Sequence, residues 1–96
     1  MSGNIKVNPE VASRVADTFT SKRGMLDEII TAIDTQVRDN IGNGKPGWEG
    51  KQATEFVTAW ETEFKAALGR LAEALGGSAD LLRRTITAYQ SIDGQA

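Results

Sequence analysis

The chain has 96 residues, no cysteine, no histidine and a formal charge of −2, from 11 basic and 13 acidic side chains. That length bounds it to one domain with a marginal core. Disulfides are excluded, and no cofactor or metal is expected, because carboxylates without histidine suit only hard cations. Stability has to come from good helix packing or from association. The acidic balance argues against a nucleic-acid partner, which would need a basic face, and against a polybasic membrane anchor. No apolar run reaches the ~18 residues of a spanning helix. The opening MSGNIKVNPE has neither the apolar segment nor the cleavage site of a Sec signal peptide.

A first helix is predicted over about residues 8–41. Asn8 can accept from an orphan N–H, Pro9 needs none at the first helical position, and Glu10 meets the positive end of the helix dipole. Val11, Val15, Phe19, Leu26, Ile29, Ile30, Ile33, Val37 and Ile41 then recur at steps of three, four or seven, which is one helix face. Ser13, Asp17, Glu28, Asp34 and Arg38 fall opposite, while Lys22 and Gly24 interrupt the stripe. The turn, about residues 42–50, reads GNGKPGWEG and ends the helix with glycine, asparagine and proline. It also holds the chain's one oddity, the large aromatic Trp48 in a loop.

A second helix is predicted over about residues 51–92, with Ala53, Phe56, Val57, Trp60, Phe64, Leu68, Leu71, Leu75, Ala79, Leu82, Ile86 and Tyr89 on one face. Acid-first pairs four apart, Asp34–Arg38, Glu61–Lys65 and Asp80–Arg84, read as solvated surface. Gly76-Gly77 is a soft spot, but the apolar phase passes through it unshifted, so one helix is expected. Two helices of this length joined by a short loop fold back as an antiparallel hairpin. The fold class is therefore all-α. The stripes are wider than a two-helix seam needs, and the economical cover is a second hairpin, giving a dimeric four-helix bundle.

Catalysis finds no support in the residues. The commonest nucleophile and base are missing, no serine sits in a G-x-S-x-G setting, and the glycine loop lacks the spacing of a phosphate loop. Two constellations remain. In Trp48-Glu49-Gly50 the ring could cap the bundle while Gly50 lets the chain turn into the second helix. Tyr89 and Asp93, four apart, share a helix face. The structural alternative makes Tyr89 the last core aromatic and Asp93 plain surface. Against it, an aspartate in a last helical turn opposes the helix dipole, and a residue placed against local stability is better explained by something that reads it.

Trp48 with Gly50 in the turn, and Tyr89 with Asp93 as a C-terminal Y-x-x-x-D signal, resemble the WXG family over about residues 5–93. These are small helical hairpins exported by the type VII (early-secretory-antigen) pathway. The resemblance implies homo- or heterodimers that leave the cell folded, and a signal recognised by the membrane-bound secretion ATPase. It also implies that Trp48 of one subunit completes a composite signal with Tyr89 and Asp93 of the other. The expected role is a secreted or cell-surface, non-enzymatic substrate made in the cytoplasm. The alternative is an intracellular adaptor or chaperone that holds a cargo or toxin helix. Membrane lysis is a third reading, disfavoured by the acidic balance. Between a homodimer and pairing with a paralogous WXG protein, self-association is slightly favoured. The stripes carry no charge that demands a mate from another chain, apart from the ambiguous Lys22.

Overall fold

The computed structural model describes residues 6–95, with side chains as far as Ser91. It is a helical hairpin, and among the described residues there is no strand. Helix α1 runs Pro9–Asn40. Asn8 caps it: its Oδ1 accepts from the N–H groups of Glu10 (3.1 Å) and Val11 (3.2 Å). The return arm is α2 (Lys51–Ala59), a π-helical turn (Trp60–Phe64) and α3 (Lys65–Gln95), continuous in sequence. Gly76 and Gly77 lie inside α3 without ending it.

The connection is short and closed by backbone bonds. The Asn40 carbonyl accepts from the N–H groups of Gly47 (2.8 Å) and Trp48 (3.0 Å), and Gly42 N–H donates to the Trp48 carbonyl (2.8 Å). A Cβ on residue 47 would stand 2.6 Å from the Asn40 carbonyl oxygen, so the closure requires glycine there. Gly50 has φ +117° at the entry to α2, a backbone that side chains with a Cβ rarely adopt.

The arms run antiparallel. The ion pairs across the seam, Asp34–Lys65 and Asp17–Arg83, join residues whose numbers add to 99 and 100, as an antiparallel pair of arms requires. The seam is built largely from small side chains: Ala16 on α1, Ala53 on α2, and Ala72, Gly76 and Ala79 on α3 are buried, with Val37, Trp60 and Ile86 as the larger members. Small residues let the helices approach closely.

The π turn corrects the expected phase of the second arm. Ala53, Val57 and Trp60 follow the seam at steps of four and three. A regular helix would next bury Phe64. The turn instead holds an i→i−5 bond, from Lys65 N–H to the Trp60 carbonyl, which inserts one residue into the cycle. Lys65 takes the place facing α1, and Phe64 is left 53% exposed. Beyond the turn the alanines and Gly76 enter the seam, while Leu71 and Leu81 are 50% and 61% exposed.

The molecule measures 68 × 22 × 16 Å. Its thinnest dimension is little more than the ~10–12 Å of one helix with side chains, so the hairpin is a single layer. Among the described residues no bulky side chain is fully enclosed. Amphipathic helices ordinarily bury their apolar faces between two layers, and here one layer leaves Val11, Val15, Met25, Ile29, Phe64 and Leu71 open to solvent.

Candidate functional site: the two ends of the hairpin

At the turn, the loop bonds fix the backbone of Trp48, which pairs with Ile41 in an isolated β-bridge. Its ring leans on Phe56, one turn into α2, with centroids 5.9 Å apart and planes tilted by 47°. The ring is 42% exposed, so it is packed on one face and open on the other. The Glu49 carboxylate turns back into the loop and accepts from Gly44 N–H (3.0 Å). The middle residue of the Trp-Glu-Gly triplet thus holds the loop that presents the ring, and Gly50 supplies the backbone that starts α2 directly after it.

At the other end, Tyr89 is half-buried near the close of α3. Asp93 lies within the backbone span of α3, and its side chain lies outside the described residues. Tyr89 stands 41 positions after Trp48 along an almost wholly helical arm. At ~1.5 Å per residue the two are about 60 Å apart. One chain therefore brings Trp48 and Gly50 together and keeps them far from Tyr89.

Between the ends lies a polar node that the sequence reading missed. The sequence pattern places Asp34 on the solvated surface, paired with Arg38. The pair is present, with Arg38 Nε donating to Asp34 Oδ2 at 3.0 Å, but Asp34 is only 4% exposed. Its Oδ1 accepts from Trp60 Nε1 (3.0 Å) and lies 3.2 Å from Lys65 Nζ. Lys65 thus pairs across the seam, where the sequence pattern paired it with Glu61. The Arg38 hydrogen bond, then that of Trp60, hold the Asp34 carboxyl well below the usual carboxylate range. Burial opposes this and Lys65 adds to it. The signal available in the sequence was Trp60, since a buried indole N–H seeks an acceptor.

Among the described residues no group of three or more acidic side chains is placed to hold a metal ion, and no helix is long and apolar enough to cross a membrane. Every buried side-chain polar atom among the described residues has a hydrogen-bond partner. What stands open is an apolar face along the hairpin, with a half-exposed ring at one tip.

No curated protein and no solved structure matched the chain. The family model WXG100, described as proteins of 100 residues with WXG, matches residues 4–94. With the tryptophan and glycine of that name in the hairpin turn at Trp48 and Gly50, and the match running over nearly the whole length, the chain belongs to the WXG100 family of type VII secretion.

Proposed function

We propose that this chain is a non-enzymatic substrate of a type VII secretion system, exported as a folded dimer that forms a four-helix bundle. The observation that carries the reading is the separation of the two signal elements on a one-layer hairpin. Trp48 and Tyr89 lie at opposite ends, and an open apolar face runs between them. A second hairpin laid antiparallel on that face would cover it and would set the turn of each chain beside the C-terminal end of the other. Trp48 and Gly50 of one subunit, with Tyr89 and Asp93 of the next, would then form one composite surface for the membrane-bound ATPase. The second hairpin is a further copy of the chain or a paralogous family member. In this reading the protein is made in the cytoplasm and ends outside the cell or at its surface.

Trp48→Ala, Tyr89→Ala and Asp93→Ala chains, each expressed in the native host, test the proposal. The protein should accumulate in cells and vanish from the culture supernatant, with helix content by circular dichroism unchanged. Normal export of all three would overturn it. The same open face also favours a second reading, an adaptor that holds a cargo helix inside the cell. Wild-type protein that never reaches the supernatant would point there.

A further inference from the structure

The hairpin has two broad faces of opposite character. On one, Arg83 Nη2 of α3 reaches Asp17 Oδ1 (3.2 Å) and Thr20 Oγ1 (2.9 Å) of α1, so these shoulders of the two helices adjoin and are polar. The other shoulder of α1 carries Val11, Val15, Met25, Ile29 and Ile33, all at least 40% exposed. Lys22 falls within that row, seven residues after Val15 and seven before Ile29. Its side chain lies along the row, with Nζ 4.0 Å from Met25 Sδ. Lys22 forms no ion pair among the described residues, as is also true of Lys6, Arg14, Lys45, Lys51, Arg70 and Arg84, but of these it is Lys22 that stands in the apolar row.

Neither apolar row of a second copy offers Lys22 a carboxylate. The row on α1, residues 11, 15, 18, 22, 25, 29, 33 and 36, contains no acid. The matching row on α3, residues 64, 67, 71, 74, 78, 81, 85 and 88, contains none either. A copy laid on this face would cover a cation with leucine, alanine and isoleucine and would bring its own Lys22 into the same interface. An ammonium taken from water without a counter-charge is costly. A single charged residue in an apolar helix seam is a known way to select partner and register.

Resting on the pairing reading above, we propose that the apolar face is built for a different helical hairpin, one that brings an Asp or Glu to Lys22, and that Lys22 weakens pairing of the chain with itself. This reverses the slight preference for self-association drawn from the sequence, where the side of the helix that Lys22 takes was open.

The test compares self-association of the purified full chain with that of Lys22→Met by sedimentation equilibrium, with circular dichroism to confirm equal helix content. Methionine keeps the length and helix propensity of lysine and removes the charge. The wild-type chain should be largely monomeric at about 10 µM, and Lys22→Met should self-associate about tenfold more tightly or better. Self-association of the two chains equal within about twofold overturns the proposal while leaving pairing intact. Absence of association in both at about 100 µM also overturns the proposal, since the face then rejects a second copy with or without the charge, and it leaves the pairing reading to a paralogous hairpin alone.

Discussion

Asp34 is the side chain on which most of the hairpin's polar chemistry converges, since Arg38, Trp60 and Lys65 all donate to it. Asp34→Ala leaves the indole N–H and the ammonium without an acceptor, whereas Asp34→Asn keeps a neutral acceptor for Trp60. The melting temperature at pH 7 should therefore fall in the order wild type, Asn, Ala. Because the folded carboxyl sits below its ordinary value, the stabilisation is present above the unfolded value of about 4 and is lost as pH falls below it. Melting curves of wild type and Asp34→Asn should thus draw progressively closer as pH falls below about 4. Trp48 differs, because its ring is 42% exposed. Trp48→Ala should cost roughly 1–2 kcal/mol in urea unfolding, less than the ~3–5 kcal/mol of truncating a fully buried tryptophan. That gap is what allows an export defect of this variant to be read as lost recognition.

At the scale of elements, the π turn decides which residues of the return arm face α1. Deleting Thr62 should remove the π turn and leave Trp60 and Lys65 four apart in a regular helix, both still facing α1. Ala72, Gly76 and Ala79 would keep their places in the seam, so the melting transition should change little. Inserting one alanine between Lys65 and Ala66 should instead rotate the rest of α3 by about 100°, and at equal helix content by circular dichroism the melting transition should drop and broaden, because those residues would no longer meet α1. The paired glycines of α3 should separate in the same assay. Nothing lies within 4 Å of a Cβ at Gly77, so Gly77→Ala should stabilise by about 1 kcal/mol through helix propensity alone. At Gly76 the new Cβ would lie 3.1 Å from Arg23 Cζ, so part of that gain is spent in moving the arginine across the seam. The continuity of α3 through this pair was legible, since the apolar phase does not change there. The room that Gly76 leaves for Arg23 was not, because it depends on what stands opposite.

For the whole molecule, the governing fact is that a 68 Å hairpin one layer thick keeps its small side chains inside and leaves large ones out. Alanine and glycine in the seam bring the arms together but bury little apolar area. The larger gain remains available to whatever covers Phe64, Leu71, Met25 and Ile29. On the proposed pairing, a complex with the proper partner should melt well above the isolated chain, and its melting temperature should rise with protein concentration. A concentration-independent transition would count against assembly.

The sequence by itself determined the helices, the Asn8 cap, the glycine-built turn and the family residues Trp48 and Gly50, because periodicity, caps and turn chemistry are local. The tertiary structure alone decided the phase of α3, the burial of Asp34 and the side taken by Lys22. A π turn has the composition of any helix, and one inserted residue turns everything after it by about 100°. Periodicity shows that a helix has a broad apolar arc. Which edge of that arc meets its own chain, and which is left for another, is settled by the close packing of small residues across the seam.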